Sequence, residues 1–354
     1  MKQADSIIRL DDVILVTGAS GFIGNKVVET LLRRGFTNVR CFARRSSNAT
    51  LLERLVSQYS NTARIELIKG DLLSSNDCLR AAQDVMVIFN LAAGRGVKSF
   101  SDAYLNSVVT TRNLIEATRT PRCLRRFVNV SSFSVYSNRR KTRHSLLDES
   151  CPTEDRPHLR GDPYTFAKVR QDDLVVEYGK KLNLPYVIVR PGVVYGPGNE
   201  AITGRVGVGT FGLFLHLGGA NSLPFTYVDN CADAIVLAGL TPGIEREVFN
   251  VVDDQLPSSR AFLRAYKRRV KSFPSIYVPH LLSYVLCWLW EMYSSWSHGQ
   301  LPPVFNRRVW HAYWKRTHYS NHKLKSRLGW SPHVSTADAL ISHFKACART
   351  ASHA

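Results

Sequence analysis

Tyr164 and Lys168 stand four residues apart in Tyr164-Thr165-Phe166-Ala167-Lys168, a spacing that puts a phenol and an ammonium on one helix face. Asp162 and Pro163, immediately before, read as the start of that helix. A phenol beside a cation can take a proton from a hydroxyl while hydride leaves the same carbon, or run both steps in reverse. Standing alone the pattern is weak. Its position after an apolar strand ending in Ser131-Ser132 makes it specific.

A hydride needs an acceptor, and the N-terminal region offers a place for one. In Val16-Thr17-Gly18-Ala19-Ser20-Gly21-Phe22-Ile23-Gly24, three glycines lie between an apolar strand and a helical pattern. Gly18 permits the tight turn, Gly21 lets backbone approach a pyrophosphate, and Gly24 allows close helix–strand packing. The helix N-terminus then faces the phosphates. This reads as a nicotinamide dinucleotide loop, and Lys168 with an oxidised nicotinamide is expected to lower the Tyr164 phenol from its ordinary value of about 10. The second strand, Val39-Arg40-Cys41-Phe42-Ala43, ends on Ala43 where an NAD site carries an acid for the ribose 2′-hydroxyl. Arg44 and Arg45 follow, and a guanidinium matches a 2′-phosphate. The expected cofactor is therefore NADP, with NAD the alternative and a plain surface arginine the competing explanation.

These residues need a frame. Apolar runs at Val13–Val16, Val39–Ala43, Ile65–Ile68, Val85–Phe89, Phe127–Val130 and Tyr186–Val189 alternate with helical patterns such as Phe22–Arg34. Strands apolar on both faces and separated by helices predict an α/β Rossmann fold, a doubly wound parallel sheet. After Gly196-Pro197-Gly198 glycines crowd the chain, and from Ser258 helical runs dominate. We expect a nucleotide-binding domain over 1–198 and a smaller, mainly helical substrate lobe over 199–354. Short strands at Phe225–Val228 and Val248–Val251 are expected to return to the main sheet.

With these motifs in order, the sequence resembles the extended short-chain dehydrogenase/reductases, the NAD-dependent epimerase/dehydratase family, from about Val13 to Leu328-Gly329-Trp330-Ser331-Pro332. The resemblance implies further cofactor contacts. Asp71-Leu72 matches the pair beside the adenine. Asn90-Leu91-Ala92-Ala93 is similar to a fourth-strand motif, with Asn90 replacing its usual histidine, and Asn106 opens the following helix motif. Phe22 and Ile23 of the loop, Tyr164, Lys168 and Pro191 complete the implied cofactor set. Val130-Ser131-Ser132-Phe133-Ser134-Val135-Tyr136 resembles the element carrying the catalytic serine, so Ser132 joins Tyr164 and Lys168 as the implied catalytic group, stabilising charge on the reacting oxygen. Ser131 and Ser134 stay open as alternatives. The resemblance also implies a homodimer through the helices near 102–119 and 164–181.

The substrate is less determined. Sugar-nucleotide members carry an asparagine where Arg190-Pro191-Gly192-Val193 has Val193, and valine cannot donate to a phosphate. Pro191-Gly192, Tyr227-Val228-Asp229-Asn230 and the aromatic run near 276–293 look similar to the 3β-hydroxysteroid dehydrogenase and flavonol-reductase-like branch. That favours oxidoreduction at a secondary alcohol or ketone of a lipophilic (sterol-, flavonol- or glycolipid-like) molecule. Against it, the Asp148-Glu149 to Pro163 stretch is common in NDP-sugar epimerases and dehydratases. A non-enzymatic NADPH sensor is the third reading, and it would need none of Ser132, Tyr164 and Lys168.

The whole chain sets outer bounds. Its 354 residues are 44% hydrophobic and 21% charged, an ordinary globular balance. Met1–Asp12 shows no apolar leader, and seven scattered cysteines without a Cys-x-x-Cys pair suit a reducing cytosol better than a disulfide or zinc framework. A formal charge of +19 gathers at Arg122–Arg126, Arg139–Arg143, Arg264–Lys271 and Arg307–Arg327. It could draw the chain to anionic membrane or phosphorylated substrates, or simply be a solvated surface. No nucleic-acid-binding signature accompanies it. Ile276–Tyr293 is too short an apolar run to span a bilayer; a core helix is the favoured reading, with a membrane-interfacial patch over 276–296 the second.

Overall fold

The computed structural model describes residues 6–94, 99–119, 123–139, 145–297, 300–301 and 304–352. Arg122, Arg140, Lys141 and Arg143 of the basic clusters lie outside them. Strands β1 (Ile14–Thr17), β2 (Asn38–Arg44), β3 (Arg64–Gly70), β4 (Val87–Asn90) and β5 (Arg126–Val130) alternate with helices α1 (Phe22–Arg33), α2 (Thr50–Tyr59), α3 (Ser75–Ala82), α4 (Phe100–Tyr104) and α5 (Thr110–Ala117). The short β6 (Ser145–Leu147) precedes α6 (Pro163–Leu182), β7 (Tyr186–Pro191) and β8 (Val193–Tyr195). Then come β9 (Gly207–Thr210), β10 (Leu213–His216), β11 (Phe225–Tyr227), α7 (Val228–Leu240) and β12 (Val248–Val251). The remainder is α8 (Ser259–Arg269), β13 (Ser275–Tyr277), α9 (His280–Trp296), α10 (Arg307–Tyr313), β14 (Thr317–Tyr319), α11 (His322–Leu328) and α12 (Thr336–Ser352).

Seven strands form one parallel sheet in the order β12-β7-β5-β4-β1-β2-β3, the doubly wound Rossmann arrangement. Alternation along each strand builds the two faces. Ile14, Val16, Phe89, Val128 and Val187 pack under α1 and α7, while Leu15, Ile88, Phe127 and Ile188 pack under α3, α5 and α6. Both faces are dry, which is why these strands are continuously apolar.

Two expectations are corrected. Val248–Val251 does join the main sheet, beside β7. Phe225–Tyr227 does not: it pairs with β8 in a separate ribbon. The chain changes partner there, since Gly192 N–H still bonds the Val251 carbonyl at 3.0 Å but Val193 N–H bonds Pro224 at 2.6 Å. With the β7 edge filled by β12, β8 and β11 have only each other. The 276–293 run, expected chiefly as a core helix, forms β13 and α9 and leaves most of its apolar side chains exposed. No helix among the described residues is long and apolar enough to cross a membrane.

Candidate active site

The carboxyl ends of the central strands open on a cavity of about 650 Å³, within the range of small-molecule sites. At its floor Gly18 takes φ +65°, a conformation that side chains resist, and turns the chain from β1 into α1. A Cβ on Gly24 would lie 2.1 Å from the Gly18 carbonyl oxygen, so only glycine lets α1 start this close to the strand. The first turn of α1 has no side-chain cap and no acidic residue. Its amide groups and partial positive charge are thus left for an anion, and the residues fit a dinucleotide pyrophosphate.

Gly18, Gly21, Phe22, Ile23, Gly24, Arg44, Asp71, Leu72, Ala92, Ala93, Asn106, Tyr164 and Lys168 all line this cavity, as sequence reasoning expected of cofactor contacts. Pro191 does not. It lies in β7 paired with Val251. Sequence reasoning missed Ser46, Ser47 and Asn48, which line the cavity beside Arg44 where the chain turns back through a Ser47 N–H to Arg44 carbonyl bond of 3.0 Å. Among the described residues lining the cavity, Asp71 is the single carboxylate. Asn106 sits in a π-helical turn, Leu105–Val109, between α4 and α5, its amide donating to the Asp102 carbonyl at 2.9 Å.

Helix α6 begins as its sequence dictates. The Asp162 carboxylate accepts from Tyr164 N–H at 3.0 Å, and Pro163 occupies the first turn, where no amide is needed. Tyr164 and Lys168 therefore both reach the cavity. Ser132 caps a short 3-10 turn, Phe133–Val135, accepting from Ser134 N–H at 3.1 Å, and it is Ser131, not Ser132, that lines the cavity with Tyr164 and Lys168. The Ser131 hydroxyl donates to Asp172 at 2.9 Å. The buried Ser134 Oγ meets neither.

The chain's own groups, taken without a nicotinamide, hold the phenol high. Burial pushes Tyr164 up to about 12, with the Ser132 hydroxyl opposing it. Burial also brings the Lys168 ammonium down to about 8, against the pull of Asp172. Lys168 does not bond the phenol: its Nζ donates to the Val130 carbonyl at 2.7 Å and to Gln171 Oε1 at 2.9 Å. The positive charge of an oxidised nicotinamide, if held in this cavity, would act in the lowering direction.

Beneath the site lies a buried polar network that spacing did not reveal. Gln171 Nε2 donates to Thr111 Oγ1 at 2.7 Å, as does Asn90 Nδ2 at 2.9 Å, and Asn90 Oδ1 accepts from Thr17 Oγ1 at 2.9 Å. A continuous chain of hydrogen bonds thus joins Lys168 through Gln171, Thr111 and Asn90 to Thr17, the residue before the first loop glycine. One turn beyond Lys168, Asp172 accepts from Asn129 Nδ2 at 3.0 Å and from Arg190 Nη2 at 3.0 Å. Arg190 stacks on the Tyr136 ring at 4.9 Å.

Comparison with known proteins agrees with this geometry. Residues 14–251 match the NAD dependent epimerase/dehydratase family. A trifunctional UDP-glucose 4,6-dehydratase/UDP-4-keto-6-deoxy-D-glucose 3,5-epimerase/UDP-4-keto-L-rhamnose-reductase of Arabidopsis thaliana is 26% identical over 67% of this chain, and the match spans 36% of that relative's length. A decarboxylating sterol-4-alpha-carboxylate 3-dehydrogenase of Mus musculus is 23% identical, covering 92% of this chain and 88% of its own. The crystal structure of UDP-glucuronic acid 4-epimerase from Bacillus cereus, in complex with UDP-glucuronic acid and NAD, superposes with a TM-score of 0.70 at 24% identity, over 95% of this chain and 99% of that one. That likeness shows the shared fold. Joined to a seven-stranded parallel sheet and a glycine loop at its switch point, the match over most of the chain establishes that it belongs to the NAD dependent epimerase/dehydratase family, whose members are nicotinamide-dependent enzymes.

Proposed function

We propose that the chain is an NADP-preferring oxidoreductase that moves hydride to or from a secondary alcohol or ketone of a lipophilic, sterol-, flavonol- or glycolipid-like substrate. Residues 1–198 would hold the cofactor and 199–354 the substrate. The observation that carries the reading is Tyr164 in the same cavity as Lys168 and the glycine loop. Tyr164 exchanges the hydroxyl proton, Ser132 stabilises charge on the reacting oxygen, and Lys168 holds positive charge nearby. Arg44 with Ser46, Ser47 and Asn48 supports a 2′-phosphate, since each can donate to it and no carboxylate ends β2. Val193, which offers no donor to a sugar-nucleotide phosphate, supports the lipophilic substrate. The sterol dehydrogenase relative supports it as well.

A second reading, NDP-sugar epimerase or dehydratase with hydride returned to the substrate, is favoured by the sugar-nucleotide relatives. One assay separates them. The first predicts net change at the reduced nicotinamide absorbance with a sterol or ketone panel. The second predicts NDP-sugar conversion without net change, and silence in both despite tight NADPH binding would leave only a sensor. Tyr164→Phe should abolish turnover and spare cofactor binding; wild-type turnover from it would remove the assignment. We further propose a cytoplasmic homodimer, supported by the exposed Phe100, Tyr104 and Leu105 beside α6. Light scattering on the purified chain tests the dimer.

A further inference from the structure

Helix α9 is built inside out. At 100° per residue, its nine exposed large apolar side chains, Leu281, Leu282, Leu286, Leu289, Met292 and Trp296 among them, fall within an arc of about 160°. No charged side chain interrupts that arc. The opposite face, where a core helix would carry leucines, buries Ser283, Cys287 and Ser294. This polar side is fully used: Ser283 Oγ accepts from Trp310 Nε1 at 2.9 Å, Ser294 Oγ donates to the Leu301 carbonyl at 2.5 Å, and Glu291 takes the Arg307 guanidinium at 2.8 Å. The chain therefore holds α9 by its polar stripe and turns its apolar stripe outward. At about 200 Å² for a full large side chain, the exposed face is on the order of 900 Å², beyond the 300–600 Å² usual for the largest patch on a monomer.

We propose that this face seats the protein on an anionic phospholipid bilayer, with α9 lying in the plane of the interface. Charge selects this occupant. Arg260 lies 5.3 Å over the ring of Tyr277, and the exposed residues Arg268, Arg269 and Lys271 stand a few residues before β13. The chain carries +19 overall. A second copy docking by a two-fold on the same face would bring like-charged rims together, whereas anionic headgroups neutralise them. The helix lies on the bilayer because its 17 residues reach only about 25 Å, short of a hydrocarbon core of about 30 Å.

The test is flotation of the full chain, with NADPH, on phosphatidylcholine vesicles with and without phosphatidylserine. The expected result is flotation with the anionic vesicles, reduced about tenfold by raised salt. The Leu286→Glu/Leu289→Glu variant should lose at least tenfold of the bound fraction with unchanged NADPH affinity. On the wild-type chain, brominated lipids should quench the fluorescence of Trp288 and Trp296, a readout that stands whether or not the variant folds. Absence of flotation and quenching, equal flotation by the variant, or vesicle-free self-association that the variant abolishes would each overturn the proposal; the last assigns the face to a second copy.

Discussion

Removing the Asp172 carboxylate tests whether the network under the site does more than fill space. Asp172 and Arg190 have side chains 6% and 8% exposed, and the carboxylate accepts four bonds: two from Arg190, one from Ser131 and one from Asn129. Asp172→Ala leaves the Arg190 charge buried without its partner, a loss of about 3–5 kcal/mol. The unmet Ser131 and Asn129 donors fall inside that range because coupled terms do not add. At roughly 1.3 °C per kcal/mol for a chain of this size, the melting midpoint should drop by about 4–7 °C. Arg190→Met alone should cost a similar amount, and the double variant much less than the sum. Thermal melts of the four proteins complete the cycle. The carboxylate also supports the charge of Lys168, so in Asp172→Asn any limb of the pH–rate profile near pH 8 should move to lower pH. Additive single losses, or a single loss below about 1 kcal/mol, would refute the energetic argument. A pH profile unchanged in Asp172→Asn would reduce Asp172 to a structural residue.

Arg44→Ser should weaken NADPH by about 10- to 100-fold, the worth of one or two charge-assisted bonds, and leave NADH unchanged; equal loss of both, seen in fluorescence titrations, would contradict a 2′-phosphate role. Lys168 carries a sign that can be checked. Its folded value of about 8 lies below the ordinary 10.5, so the unfolded chain holds more protons between those values, and this group's penalty, fully present below pH 8, fades as pH rises toward 10.5. Denaturant melts of wild type and Lys168→Met should therefore differ in pH slope over that window, by about 3 kcal/mol in total, and parallel curves would exclude it. Asn90→Ala should cost about 1–3 kcal/mol by leaving the buried Thr17 hydroxyl without its acceptor and Thr111 Oγ1 with one donor fewer, and a melt within 1 °C of wild type would show that the chain to Lys168 is not stabilising.

What the sequence made legible was whatever is local. The glycine loop, the strand–helix alternation and the Tyr164–Lys168 pair are spacings of a few residues, and the structure places all of them at one end of one sheet. Partner choice was not legible. Phe225–Tyr227 is apolar enough for the main sheet, yet its pairing depends on which strand had already taken the β7 edge. Asp172 and Gln171 read as ordinary polar helix positions because their partners Ser131 and Thr111 are 41 and 60 residues away. Helix α9 shows the same limit in sharper form. Periodicity defines an apolar arc but not its direction, and most helices point that arc inward. The missed signal was on the other arc, where Ser283, Cys287 and Ser294 repeat at four and seven residues. A stripe of small and polar residues at that spacing, opposite nine large apolar ones, means the helix is gripped by its polar side. Its apolar side must then meet something other than the protein's own core.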